Sequence, residues 1–278
     1  MTKIGKFNKL QIIREVDFGV YLDGQNLGDI LLPKKYVPKN YKLNDFVIAF
    51  IYTDSEDRII ATTETPLATV DDFALLKVVT VSSAGAFLDW GLSKDLLVPF
   101  SEQNKKMKKG QSYVVKLFLD EKTNRVAASS KLEKFLSTDF PDELEIGQEV
   151  DLLISDESEL GFTAVIDNLY LGMIYKNEVY EPLKTGGRKK GFIKKVREDG
   201  KIDVTLYKAG YGKVTTLSDK IISKLKENDG FISVTDKSSP DVIYQLFGAS
   251  KKTYKKAVGA LYKKRVISLE EEGIRLKG

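Results

Sequence analysis

The chain has 278 residues, 42% hydrophobic and 30% charged, with 44 Lys and Arg against 40 Asp and Glu for a formal charge of +4. It contains no His and no Cys, which excludes disulfides, thiol nucleophiles, histidine bases and zinc sites built on those ligands. No apolar run approaches the ~20 residues of a membrane helix, and Met1 to Lys6 lack the apolar stretch of a signal peptide; a cytoplasmic multidomain protein with no membrane contact is expected.

In chain order, the first feature is Val16-Asp17-Phe18-Gly19-Val20-Tyr21-Leu22-Asp23, followed by Leu31-Leu32-Pro33, the apolar run Phe46 to Ile51, and Asp57-Arg58-Ile59-Ile60-Ala61-Thr62 after a polar turn. The same order returns as Val81 to Asp89, Leu97-Val98-Pro99, Tyr113 to Phe118, and Asn124-Arg125-Val126-Ala127-Ala128-Ser129. Gly19 precedes Pro33 by 14 residues, as Gly85 precedes Pro99, and Arg58 and Arg125 are 67 apart. A fainter third copy runs through Leu160 to Ile166, Gly172 to Tyr175, Gly191 to Val196 and Asp199 to Leu206. Each unit is a series of short strands rich in β-branched and aromatic residues, separated by Gly, Asn and Asp turns. Antiparallel units of this length with about five strands close into barrels, which removes exposed sheet edges. The linker Leu132 to Glu145 has some helical character, limited by Pro141.

The last quarter differs. Leu217 to Leu225 has helical spacing with Thr216 or Ser218 as N-cap. Ser239-Pro240 opens a second helix ending at Phe247 before Gly248, and Ser250 caps a third over Lys251 to Lys264. Val266 to Leu269 and Ile274 to Leu276 flank a Glu270–Gly273 turn, the pattern of a hairpin. On a wheel of about 100° per residue, Tyr254, Ala257, Val258 and Leu261 share one face of the third helix, and Lys252, Lys255, Lys256 and Lys263 share the other. Residues 211–278 hold 14 basic and 8 acidic side chains, whereas residues 1–70 are neutral and the two middle stretches each carry −1. A solvated helix usually mixes signs, so the acid-free basic face favours contact with a polyanion. Glu270, Glu271 and Glu272 argue against a wing that enters a DNA groove.

The order Gly-x-[Tyr/Phe]-Leu, then Leu-[Leu/Val]-Pro, an apolar strand and [Arg]-[Ile/Val] resembles the S1-type RNA-binding OB domain. Three such units before a winged-helix-like tail resemble the bacterial CvfB-type S1 proteins, with Gly191 to Asp203 the most family-like single segment. The fold this implies is a mainly β multidomain chain: three tandem five-stranded OB barrels over 1–66, 70–135 and 146–210, then a small α+β winged helix-turn-helix domain over 211–278. The resemblance also implies that aromatics beside the strand glycine stack on bases while a later basic residue holds phosphate: Phe18, Tyr21 and Arg58 in the first unit, and Phe87 and Arg125 in the second, where Ala84 replaces the first aromatic. The third unit offers Leu160, Thr163 and Lys201 at those places, with a basic cluster of Arg188, Lys189, Lys190, Lys194 and Lys195 for phosphate. Phe18 and Tyr21 lie on opposite faces of a regular strand, so a bulge or twist near Gly19 has to bring them together. Taken singly, a strand aromatic is more often core than base platform, and only the repeat context brings Phe18, Tyr21 and Phe87 level; Lys105 to Lys109 reads as a solvated loop.

Catalysis has little to stand on. Asp71-Asp72 and Glu270–Glu272 are surface clusters, Asp199 and Asp203 flank a turn, and Gly186 to Gly191 lacks the phosphate-loop spacing. The expected function is non-enzymatic binding of single-stranded RNA without metal or cofactor, in a post-transcriptional role that the resemblance implies. DNA binding through the tail and a protein scaffold are the alternatives.

Overall fold

The computed structural model describes residues 1–137, 139, 144–179, 182–208 and 211–277, with backbone alone for 211–216. The first unit comprises β1 (Phe7–Val16), β2 (Gly19–Asp23), β3 (Asp29–Pro33), β4 (Phe46–Thr53) and β5 (Ile59–Thr62). Alternate side chains point inward, as the period of two requires: Leu10, Ile12, Val20, Leu22, Ile30, Leu32, Val47 and Ile51 fill the interior. The strands close in the order β1-β2-β3-β5-β4, sealed by the parallel pairing of Leu31 with Ile60.

The second unit repeats this with β6 (Phe73–Val81), β7 (Gly85–Asp89), β8 (Leu96–Pro99), β9 (Ser112–Asp120) and β10 (Arg125–Ser129). Its sheet runs β10-β9-β6-β7-β8, and the outer strands β8 and β10 lie side by side without a backbone ladder among the described residues. The third unit, β11 (Glu149–Glu157), β12 (Gly161–Ile166), β13 (Tyr170–Tyr175), β14 (Arg188–Val196) and β15 (Ile202–Thr205), is again a closed barrel.

One glycine anchors each unit. Gly19, Gly85 and Gly161 have φ of +156°, +148° and +152°, and a Cβ there would lie 2.2, 2.3 and 2.0 Å from the carbonyl oxygens of Leu32, Val98 and Ile174. Only glycine admits so close an approach of the neighbouring strand. The first strand of each unit also slips register by one residue, between Ile12 and Arg14, Val78 and Thr80, and Ile154 and Asp156. These bulges set Arg14, Thr80 and Asp156 opposite Tyr21, Phe87 and Thr163.

The units share cores where they meet. Phe50 and Tyr52 of the first pack on Trp90, Leu92 and Leu96 of the second, with ring centroids of Phe50 and Tyr52 at 5.7 and 6.3 Å from Trp90. Phe73, Val114, Leu132 and Leu136 pack on Leu153 and Val165 of the third unit, where Arg188 donates to the Phe73 carbonyl at 3.1 Å. Between these units the linker forms a short 3-10 turn, Leu132–Phe135; Pro141 lies outside the described residues.

The tail comprises α1 (Tyr211–Glu227), β16 (Phe231–Ile232), α2 (Pro240–Phe247), α3 (Lys251–Lys263), β17 (Ile267–Leu269) and β18 (Ile274–Leu276), with the sheet ordered β16-β18-β17. Ser239 and Ser250 cap α2 and α3 through Val242 and Thr253 N–H, and Gly248 ends α2 at φ 66°. The expected start of α1 at residue 217 is corrected: the helix begins six residues earlier, at Tyr211, so positions 216 and 218 lie within it rather than before it. Gly212 and the β-branched residues 214–216 are weak helix formers and read as a boundary, yet Leu217, Ile221 and Leu225 anchor the helix in the core and carry that turn along.

Candidate nucleic-acid interface

The bulge in β1 gives Tyr21 its setting. Arg14, directly opposite, lays its guanidinium 4.1 Å from the centre of the Tyr21 ring and reaches Asp29 at 3.5 Å. Phe18 sits in the β1–β2 turn, 58% exposed, and no ring contact joins it to Tyr21 among the described residues. Arg58 follows the β4–β5 turn. Its Nε donates to Asp54 at 2.9 Å and its Nη atoms reach Asp54 and Glu56 at 2.7 and 2.9 Å. Its pKa is raised, first by the Asp54 hydrogen bond, and the Tyr21 phenol is near enough to contribute. The first unit therefore pairs Tyr21 with Arg14, keeps Arg58 within electrostatic range, and leaves Phe18 as an uncovered ring in the adjoining turn. Arg14 escaped the sequence reading because its partner depends on a register that only the bulge fixes.

In the second unit Phe87 is half-buried and lines a cavity of about 310 Å³ with Ala84, Trp90, Lys94 and Arg125. The small Ala84 lines this cavity at the place where the first unit has Phe18. Arg125 forms an ion pair with Asp57, which belongs to the first unit. Lys94 donates to the carbonyls of Thr53 and Asp54, and burial lowers its pKa.

The third unit is built differently. Leu160 is exposed, Thr163 shares a 2.9 Å hydrogen bond with Ser155, and Asp156 stands where Arg14 stands in the first unit, paired to Lys105. Lys201 is held by Asp199 at 2.8 Å. Its basic residues are spread along β14 and mostly engaged: Arg188 with the Phe73 carbonyl, Lys190 with Asp151 at 2.9 Å, Lys194 with Glu178, and Lys189 half-buried and partnered. Lys195 is exposed. A grouping the sequence reading missed lies nearby: Arg197 grips Asp203 at 2.6 and 3.2 Å and donates to the Tyr175 hydroxyl.

In the tail, α3 buries Tyr254, Ala257, Val258 and Leu261 and turns its lysines outward. Lys255 reaches Asp236 at 3.5 Å, whereas Lys252, Lys256 and Lys263 are exposed and have no ion pair among the described residues. These three stand at i, i+4 and i+11 on one stripe. Gly259 lies between them, and a Cβ there would meet nothing within 4 Å. In the wing, Arg275 is tied to Glu270 at 2.6 Å.

Residues 4–64 match the S1 domain family, and residues 219–276 match the CvfB-like winged helix domain family. In this order of domains the chain is similar to proteins named Conserved virulence factor B. The chain is 29% identical to Uncharacterized protein YitL of Bacillus subtilis, over 91% of this chain and 87% of that protein. It is 25% identical to Conserved virulence factor B of Staphylococcus epidermidis, over 98% and 94%. A crystal structure of a multidomain protein with nucleic acid binding domains from Streptococcus pneumoniae is 26% identical over 99% of this chain and 98% of that one, with a TM-score of 0.43. Among the described residues no helix is long and apolar enough to cross a membrane, and no three Asp or Glu side chains gather to hold a metal.

Proposed function

We propose that the chain binds single-stranded RNA, with bases stacking on the aromatic side chains of the first two units and phosphates resting on α3. The observation that carries this reading is an aromatic set with arginine in each of the first two units, Tyr21 under the Arg14 guanidinium and Phe87 lining one cavity with Arg125, the first of these units matching the S1 family. Base stacking contributes about 1–3 kcal/mol per base and tolerates any sequence, so the binding carries little base readout. The arginines are already paired to carboxylates, so the free charge for phosphate comes from Lys252, Lys256 and Lys263. A post-transcriptional role in gene expression is the setting that the family resemblance suggests, and the units are taken as 1–66, 70–135, 146–210 and 211–278. The acidic wing, with Glu270 holding Arg275, disfavours a duplex groove as the target.

The test is fluorescence anisotropy of the full chain with single-stranded RNA, single-stranded DNA and duplex DNA over a salt series. Single-stranded RNA should bind tightest. Replacing Lys252, Lys256 and Lys263 with Gln should lower the salt slope by about 2, at ~0.7 per phosphate contact on a single strand. A preference for duplex DNA would move the function to the tail alone, and no binding to any of the three would refute the reading.

A further inference from the structure

The turn between β4 and β5 belongs to both of the first two units at once. On one side Arg58 lies within electrostatic range of the Tyr21 phenol; one residue earlier, Asp57 pairs with Arg125, which lines the Phe87 cavity. The turn cannot swing away, because Lys94 of the second unit donates to the carbonyls of Thr53 and Asp54 at its base. Directly beneath, Phe50 and Tyr52 are buried against Trp90. Two barrels joined by a free linker would hold their aromatic sites at variable separation and orientation. Here a shared core, a lysine clamp and an ion pair fix one site against the other.

From this we infer that the first two units form a single continuous track, and that one strand of RNA lies across both: stacked on Tyr21, past the Asp54–Arg58 turn, into the cavity beside Phe87. The inference rests on the stacking reading given above and adds that the two sites are one. At about 310 Å³ the cavity is at the low end of the ~300–1,000 Å³ typical of small-ligand sites, enough for one flat base between Phe87 and Arg125. Along the track the cations Arg14, Arg58, Lys94 and Arg125 are outnumbered by Asp29, Asp54, Glu56, Asp57, Asp95 and Asp120. The track therefore has no surplus of positive charge, and stacking with fixed spacing, rather than charge, selects its occupant. Because the separation is fixed in advance, a strand that reaches both sites does not bear the cost of ordering them.

The experiment uses the full chain and RNA oligomers of about eight nucleotides, within the ~4–16 that one OB fold covers. Each carries one photoreactive thiouridine at its 5′ or its 3′ end. A single track has a polarity, so one end should crosslink to peptides around Tyr21 and the other to peptides around Phe87. Tyr21→Ala and Phe87→Ala should each weaken that same complex by about 5- to 150-fold, the equivalent of one stacked base. If both ends crosslink equally at both places, and each substitution abolishes crosslinking at its own unit alone, the barrels act separately and the single track is refuted while the stacking reading stands. If neither unit crosslinks and neither substitution changes affinity, the stacking reading fails and the track with it.

Discussion

Gly259 offers a test in which folding and binding should move in opposite directions. Mid-helix glycine is unfavourable by about 0.8–1 kcal/mol relative to alanine, and a cost of that size usually has a packing reason. None is visible: α3 is regular from Lys251 to Lys263, the residue is exposed, and an added Cβ would have no neighbour within 4 Å. Gly259→Ala should therefore stabilise α3 by nearly the full propensity difference. Hydrogen exchange of the α3 amides in the free protein reads this locally and does not require the whole chain to unfold as one unit. Exchange should slow by about four- to fivefold, the factor that 0.8–1 kcal/mol represents. The same methyl group would stand between Lys256 and Lys263, where an RNA backbone resting on the lysine stripe comes nearest the helix, so affinity for single-stranded RNA should fall. Faster exchange in the variant would show that something packs on Gly259 after all. Slower exchange with unchanged affinity would remove the stripe from the binding surface.

Three further outcomes follow from the packing. Gly85→Ala drives a methyl group to 2.3 Å from the Val98 carbonyl and should cost on the order of 2–4 kcal/mol; a urea midpoint unchanged from the parent chain would refute the close-approach argument. Trp90→Ala empties the joint between the first two units at a cost of about 3–5 kcal/mol, and hydrogen exchange should quicken in β4 as well as β7, whereas a change confined to the second unit would mean the core is not shared. Glu102 is pushed up by burial but drawn down further by Lys134 and Ser129, and its pKa ends below the usual carboxylate range. Its contribution is complete above the unfolded value near 4.3 and is lost as pH falls through the lower folded value. Glu102→Gln should therefore be less stable than the parent at neutral pH, with the difference closing in acid. A stability gap that persists unchanged well below about pH 4 would refute the assignment.

Much of this architecture is legible in the chain itself because its signals are local or periodic. Gly19 and Gly85 stand at equal distances from Pro33 and Pro99, and the lysines and apolar residues of α3 separate cleanly on a wheel. What stays hidden depends on register or on partners far along the chain. Arg14 faces Tyr21 only because β1 slips by one residue, and Asp57 finds Arg125 across 68 positions. The basic run of the third unit looks like a phosphate site in sequence, but Asp151 and Glu178, which pair with Lys190 and Lys194, come from other elements. The early start of α1 is masked by poor helix formers that its apolar stripe overrides.

The core shared by the first two units also has a consequence in time. Phe50 and Tyr52 complete their surroundings only when Trp90 and the strands around it are in place, and β10 ends at Ser129, long after β5 ends at Thr62. At a synthesis rate of ~5–20 residues per second, the first barrel waits roughly 3–13 s on the ribosome with an aromatic flank uncovered. A nascent chain of this protein therefore presents a hydrophobic surface that the finished molecule never shows, and it is during that interval that a chaperone, or another nascent copy, has something to hold.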